Sequence, residues 1–551
     1  MTATLLQEIG QATELSQALS DLDMIHICCG IDPRMNYDEA SRFMQRYFCS
    51  DSEEIEQRLS MLCDLKALCS AASLQQIIDA ILAMQTEQNK LHLAASRLPD
   101  VIYRWRLIAA YIHSIQMLDS LVSRSPQQPS ARLRDLTALV KELQTDPLYA
   151  RCQTVLQEME TLLPLPHYLT VGFNVREDGY PNEMGILSVE NEQPPLNALL
   201  SHSDATLPSY GLGPEFVYNR SLYGSHFDEY ITRNLEKQWK SSIHKAAKLL
   251  EPIKLSRLQD LLALAEPLHF YQVGLLFAEA FENRGYHLCR PELAGSAPGA
   301  HLEMKNVLYP DLILHSSGIQ GNDLSLASGH AIIITGANHS GKTSYLKTIG
   351  QSYILAQLGF LVPADAMRFS PVTGMYSLFS AGEDSSMTAS RMGVEIKKLS
   401  GILKQATSTD LVLLNEPMTS TNPVEAVSIC ADLSHHFLRR GITHLLVTHL
   451  YDIYFLLKAQ LEPELKAKLE SLITQSHYDP ESGGMVHSYR LTAAEPLGNS
   501  YARETASAYG ITLTDMLPQE GLRQEAEAYC QTHNINSIYE GEDAHGTTHN
   551  H

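Results

Sequence analysis

The chain has 551 residues, 44% hydrophobic and 19% charged, which excludes a disordered polymer and supplies enough apolar mass for several packed domains. Its 41 Lys and Arg stand against 63 Asp and Glu, a net charge of −22, so no basic surface can cover the whole molecule and any phosphate contact must be local. No apolar run approaches the ~18 residues of a membrane helix, the opening MTATLLQEIGQ lacks a secretory pattern, and nine cysteines without a C-x-x-C pair read as free thiols, so a cytoplasmic protein with no membrane partner is expected.

Residues 1–165 are predicted to form helix after helix. In SLQQIIDAILAMQTEQNKLHLAASRL (Ser73 to Leu98) and DVIYRWRLIAAYIHSIQMLDSLVSR (Asp100 to Arg124) apolar residues recur at three and four, so each helix has a face that must be buried. RSPQQPSAR interrupts the series with prolines and serines. The period then falls to two: YLTVGFNV (Tyr168 to Val175) and MGILSVEN (Met184 to Asn191) read as strands about the turn REDGYP. Helical spacing returns from about Phe227 to Leu264, carrying Lys237, Lys240, Lys245, Lys248, Lys254 and Arg257. A solvated helix face is the simpler reading of such a run, and a local phosphate-facing strip is the alternative.

From about Leu302 short apolar runs, AIIIT (Ala331 to Thr335), LVLL (Leu411 to Leu414) and ITHLLVT (Ile442 to Thr448), alternate with helical segments. That alternation predicts a buried sheet covered by helices. Beyond about Asp515 the chain is polar and helical, then ends in EDAHGTTHNH, read as a frayed terminus. The expected organisation is a helical segment 1–165, a segment 166–300 with a short β element, an α/β domain 301–514 and a helical tail 515–551. The fold class is multi-domain, all-α followed by α/β.

The strongest chemical signal is GANHSGKT, running through Gly336, Ala337, Asn338, His339, Ser340, Gly341, Lys342 and Thr343, with Ser344 next. It matches G-x-x-x-x-G-K-[ST] and lies between the apolar run AIIIT and a helical pattern. Glycines let backbone N–H groups wrap phosphates, and the helix start adds a favourable dipole. Lys342 is expected to reach the β- and γ-phosphates of ATP, and Thr343 to place its hydroxyl on Mg²⁺. A glycine turn ahead of a helix would account for the glycines but not for Lys and Thr at these places.

LVLLNEP ends the second run in Asn415 and Glu416. ATPases with this loop usually carry Asp at the first position, where it supports Mg²⁺, and often Glu at the second. Asn415 can hydrogen-bond a metal-bound water but brings no charge, so hydrolysis is expected to be slow or weakly Mg²⁺-dependent. Glu416 is the expected general base. His449, just past the third run, is read as the γ-phosphate sensor, as in nucleotide-switch ATPases of the ABC class. His435, His436 and His444 are read as scaffold. Seventy-four positions separate Lys342 from Glu416, too few for a long coiled-coil insertion. LSGIL begins only 16 positions before Asn415, whereas Ser390 lies 25 before it, where a serine can open a helix facing a second subunit's nucleotide.

These motifs together resemble the MutS family, the ATPases of DNA mismatch repair. TGANHSGKTSYLK is similar to T-G-P-N-x-x-G-K-S-T-x-L, with Asn338 kept and Ala337 in place of Pro. LGFLVPADAM resembles G-x-F-V-P-A. GEDSSMTASRMGVEI resembles the D-D … S-T-F-M-V-E-M segment, with Asp384, Ser390 and Glu395 at matching places. NEPMTSTNPVEA resembles D-E-x-x-x-G-T-x-x-x-x-G-x-A, with Ser420 at the glycine position, and VTHLYDI resembles A-T-H-Y-x-E-L. The resemblance is tight over 300–500, looser over 160–300 and architectural before that.

It implies an ABC-type P-loop ATPase that dimerises to complete two composite sites. Lys342, Thr343, Glu416 and His449 would act in cis, Ser390 would come from the partner copy, and Asn338 would support nucleotide or metal. The helices before residue 300 would be core, levers and clamp, acting on a DNA duplex. Where relatives carry an adenine-stacking aromatic this chain offers Ile319. The chain starts at what would be the helical core, so the Phe-x-Glu wedge is not expected, and DNA would be gripped by shape.

The leading reading is therefore a homodimeric, ATP-dependent DNA clamp. The alternative is a nucleotide-gated protein-interaction scaffold of the same fold, favoured by the presumed clamp at 165–225, where two basic residues face seven acidic ones. A metabolic P-loop kinase would leave the Ser390 segment and His449 without a role.

Overall fold

The computed structural model describes residues 15–92, 97–163, 168–175, 177, 181–190, 233, 235–237, 239–295, 299–379, 391–479 and 484–496. In chain order the elements are α1 (Ser16–Asp21), α2 (Met24–Ile31), α3 (Tyr37–Tyr47), α4 (Ser52–Leu68), α5 (Ala71–His92), α6 (Arg97–Val122), α7 (Ala131–Thr145), α8 (Pro147–Leu162), β1 (Tyr168–Val175), β2 (Pro181–Glu190), α9 (Lys240–Leu250), α10 (Leu258–Leu262) and α11 (Ala265–Glu282). They continue with β3 (Glu292–Leu293), β4 (Leu302–Val307), α12 (Pro310–His315), β5 (Asn322–Leu326), β6 (Ala331–Thr335), α13 (Lys342–Leu358), β7 (Ala366–Phe369), β8 (Met375–Phe379) and α14 (Arg391–Gln405). Last come β9 (Leu411–Asn415), α15 (Pro423–Arg439), β10 (Thr443–Val447), α16 (Asp452–Gln460), α17 (Pro463–Lys466), β11 (Leu469–Asp479) and β12 (Gly484–Ala493). The chain divides into two compact units, residues 1–5 with 68–270, and 6–67 with 271–551. This division does not follow the segment boundaries expected from chain order, because residues 6–67 group with the C-terminal half.

Among its described residues, the unit built from 68–270 is helical with one β-hairpin. Helix α6 is its axis: α5, α7, α8 and α9 all pack on it, burying Ile108, Tyr111 and Ile115 from α6 with Leu136 and Val140 from α7. Side chains fix the helix starts. Ser130 accepts from the Leu133 amide, and Asp146 accepts from the Leu148 amide with Pro147 at the first helical position. Arg257 bridges Glu142 at 2.7 Å and Asp260, so it is a structural cation rather than a member of an open basic strip. The hairpin expected at 168–191 is present as β1 and β2, paired antiparallel from Tyr168↔Glu190 to Val175↔Pro181.

The other unit carries a six-stranded sheet in the order β12-β11-β6-β10-β9-β8. The five strands from β8 to β11 pair in parallel, and β12 closes the edge antiparallel. A second sheet, β3-β7-β4-β5, stands beside it. Strands β6, β9 and β10 are buried at every position, which is why their sequences are unbroken apolar runs rather than alternating ones. The N-terminal helices belong here because the elbow between α1 and α2 seats on α13. Leu22 lies against Gly350, where an added Cβ would come within 2.5 Å of its side chain. The Gln351 amide donates to the Leu22 carbonyl at 2.7 Å, Ser377 Oγ donates to Asp21 at 2.6 Å, and Lys347 pairs with Asp23.

One stretch departs from the sequence expectation. Leu258–Glu282 reaches the length and hydropathy of a membrane span, yet 61% of its most apolar 18-residue window is buried within the protein, as in a core helix. The tail from 515 lies outside the described residues.

Candidate functional site

Strand β6 delivers its C-terminal end to the loop 336–341, and α13 begins at Lys342. Backbone geometry fixes the loop's path. Gly336 has φ +143°, and a Cβ there would sit 1.8 Å from Thr474 Oγ1, so only glycine fits. His339 and Gly341 are left-handed at φ +62° and +91°. Ser340 Oγ donates to the Ala337 carbonyl at 2.6 Å and meets Thr474 Oγ1 at 2.6 Å, pinning the loop to β11. The first turn of α13 offers the unsatisfied N–H donors that any helix start presents.

The electrostatics favour an anion. Lys342 is buried at 5% exposure, and its Nζ donates to the carbonyls of Gly336 at 2.9 Å and Ala337 at 2.7 Å. Burial holds its pKa below the usual lysine value, and the Glu416 carboxylate works in the opposite direction. His487 is likewise held low, first by burial and then by His339 and Lys342. An ammonium desolvated among neutral carbonyls gains from an anionic partner.

Two further strand ends, those of β9 and β10, bring the remaining residues to this loop. Thr343 Oγ1 donates to Asn415 Oδ1 at 2.8 Å, joining the start of α13 to the last residue of β9. Glu416 follows in a left-handed conformation, φ +50°, with its N–H donating to the Val447 carbonyl of β10 at 2.8 Å. Its Oε2 lies 3.8 Å from Nδ1 of His449, beyond the end of β10. Loop, lysine, threonine, asparagine, glutamate and histidine thus converge at the carboxyl edge of a parallel sheet, where open α/β folds bind ligands. Ser390 and Asp384 lie outside the described residues.

A cleft of about 490 Å³ opens over the loop, within the size range of ligand pockets. Asn338, His339, Ser344 and Glu416 line it, and so does Ile319. Tyr489 also lines it, a residue the sequence alone did not single out. This tyrosine is 52% exposed on β12, and its ring stands 3.2 Å from where a Cβ on Gly341 would be. Asn322 fixes β12 there, donating to the Tyr489 carbonyl at 2.9 Å and accepting from the Leu491 amide at 3.0 Å. No local pattern marks such a residue, because only the pairing of β12 with β11 carries it to the loop. His444, by contrast, is wholly buried and bonded to Ser434 at 2.9 Å, as a scaffold histidine would be.

Comparison with known proteins places the chain among relatives. The sequence model of MutS domain V matches residues 332–507. The chain is 27% identical over 261 residues to the DNA mismatch repair protein MutS of Chlorobium phaeovibrioides, covering 46% of this chain and 28% of that protein. It is 32% identical over 190 residues to the DNA mismatch repair protein MutS of Thermus thermophilus, covering 34% and 22%. To the human MutS protein homolog 4 it is 27% identical over 258 residues, covering 45% and 27%. The matched part therefore spans less than a third of each of these relatives.

Proposed function

We propose, from the premise that the chain belongs to the MutS family through its domain V, that it is a P-loop ATPase whose nucleotide state governs assembly and DNA binding. The observation that carries this reading is the contact of Thr343 with Asn415 at 2.8 Å, beside a buried Lys342 and the Glu416–His449 pair. In the proposed site the triphosphate of ATP lies along Gly336 to Ser344. Lys342 exchanges its two neutral carbonyl partners for phosphate oxygens, so that its ammonium meets an acceptor of opposite charge.

Among the described residues no three acidic, His or Cys side chains converge on one point. Mg²⁺ would therefore be held by the Thr343 hydroxyl, the Asn415 side chain, and phosphate and water oxygens, as this ion prefers. When bound it neutralises charge on the transferring phosphoryl group. Glu416 accepts a proton from the attacking water, and His449 hydrogen-bonds the γ-phosphate. Ser390 of a second copy completes the site, so the ATP-bound protein is a homodimer. The helical unit then closes on DNA by shape.

A second reading, a nucleotide-gated protein scaffold, is favoured by one observation: two basic residues against seven acidic ones across 165–225. One experiment separates the two. Dimerisation and retention on duplex, mismatched and branched DNA are measured with ADP, with ATP, and for Glu416→Ala. Loss of the general base is expected to slow hydrolysis on the order of 10²- to 10⁴-fold while ATP still binds, trapping the dimer. Dimerisation without retention on any DNA at low salt selects the scaffold. A protein that neither binds ATP nor changes assembly with it defeats both.

A further inference from the structure

The loop after β9 is held in an unusual path. Glu416 and Met418 both have left-handed backbones, at φ +50° and +63°, with Pro417 between them. Non-glycine residues adopt that region at a cost, and it persists only where surrounding contacts impose it. Much of the imposing contact here comes from one side chain. Glu395, on α14, is buried at 9% exposure, and each of its carboxylate oxygens takes a donor from this loop. The Met418 N–H donates to Oε1 at 2.6 Å, and Ser420 Oγ donates to Oε2 at 3.1 Å.

Met418 is fully buried, and Cys430 close by has its thiol pushed up to about 12, first by burial and then by the Glu395 charge. Among the described residues no Lys, Arg or His forms an ion pair with Glu395. A buried carboxylate of this kind is expensive, and an apolar side chain would fill its volume more cheaply. What an apolar side chain could not do is hold the Met418 amide two residues from Glu416, fixing where β9 hands the chain to the glutamate.

We propose that Glu395 is a positioning residue for Glu416: through Met418 and Ser420 it sets the direction in which the general base points. The proposal rests on the ATPase reading above. Glu395 does not line the cleft, whereas Lys342, Thr343 and Ser344 do, so its removal should act on turnover and not on ATP binding.

The test is steady-state ATP hydrolysis by the full chain, comparing wild type, Glu416→Gln, Glu395→Ala, the Glu395→Ala and Glu416→Gln double variant, Glu395→Gln and Ser420→Ala, with a thermal melt of each. Glu395→Ala is expected to lower kcat about 10- to 100-fold at unchanged KM, the effect of a displaced catalytic group. Glu395→Gln keeps an acceptor for the Met418 amide and gains a donor for Ser420 Oγ, so it should stay within about threefold of wild type. In the Glu416→Gln background, Glu395→Ala should cost little more, because the group it positions is already disabled.

A Glu395→Ala protein with wild-type kcat overturns the proposal, as does a Gln variant as damaged as the Ala variant. Should Glu395→Ala fail to fold, Ser420→Ala decides. With one of the two bonds gone, kcat falls about threefold at constant KM if the proposal holds, and an unchanged kcat overturns it. Wild-type hydrolysis that Glu416→Gln abolishes and Glu395→Ala leaves intact rejects the positioning role alone. A wild type without hydrolysis rejects the ATPase reading and this proposal together.

Discussion

At the end of β9 the side chain that meets Thr343 is an amide, and its chemistry differs from that of a carboxylate in a way that can be measured. Asn415 Oδ1 accepts the Thr343 hydroxyl at 2.8 Å, leaving the amide nitrogen as a donor, so the residue can orient a water but adds no charge toward a divalent ion. Asn415→Asp should restore that charge. Hydrogen bonds to charged groups exceed neutral ones by about 1 kcal/mol, so the Mg²⁺ concentration giving half-maximal hydrolysis should fall roughly fivefold, with turnover raised. A magnesium titration that superimposes on wild type would remove Asn415 from the metal's surroundings. The new carboxylate is 8% exposed beside Glu416, so a lower melting temperature should accompany the gain. This residue and the other polar groups that meet at the loop are legible in the sequence because they fall at short spacings: Lys342 next to Thr343, Asn415 next to Glu416. Tyr489, Thr474 and the Glu395 clamp were not legible as a constellation, since each reaches the loop through tertiary pairing that no window of sequence contains.

Elements were legible where burial is symmetric. The runs AIIIT, LVLL and ITHLLVT became β6, β9 and β10 because a central parallel strand is apolar on both faces. Strands with polar faces, such as β11 and β12, give no such run. Helix α9 shows the opposite case, in which pattern is plain and purpose is not. Ile243, Ala246 and Leu250 are buried, while Lys240, Lys245 and Lys248, and Lys237 ahead of the helix, are not and, among the described residues, form no ion pair. Periodicity explains why these lysines face water but not why no acid is interleaved from Lys237 to Leu250 in a chain of net charge −22. If this face meets a phosphate backbone, Lys240→Glu combined with Lys245→Glu and Lys248→Glu should flatten the salt dependence of DNA binding. The slope of log K against log salt should shrink by about 0.9 for each phosphate no longer neutralised, with ATP hydrolysis in the absence of DNA unchanged. An unaltered slope would leave the face as solvated surface.

At the scale of the molecule, amphipathic spacing reveals that a helix has a buried face but not what it is buried against, which is why residues 6–67 could not be assigned from sequence to the unit of the six-stranded sheet. That unit's stability should carry a recognisable pH signature. His444 on β10 is fully buried, bonded to Ser434 at 2.9 Å, and its pKa is pushed down to about 4 by burial, with the nearby Ile442 carbonyl opposing. The native state therefore refuses a proton that the unfolded chain takes up near 6.5. Between these values the unfolded state binds more protons, so stability rises with pH and is lost as pH falls from 6.5 toward 4, by roughly 3 kcal/mol in all. Above 6.5 the imidazole is neutral in both states and contributes no slope. Carboxylates also titrate toward the acid end, and in a chain with 63 acidic residues their protonation would mask one histidine in the raw curve. The difference between wild type and His444→Gln isolates it, since an amide keeps a hydrogen-bonding group at Ser434 without a titrating proton. Urea unfolding should find the wild type's advantage over the variant shrinking by about 2 kcal/mol between pH 7 and pH 5. Parallel curves would mean that the imidazole is protonated in the folded protein, and that β10 is less sealed from water than its burial indicates.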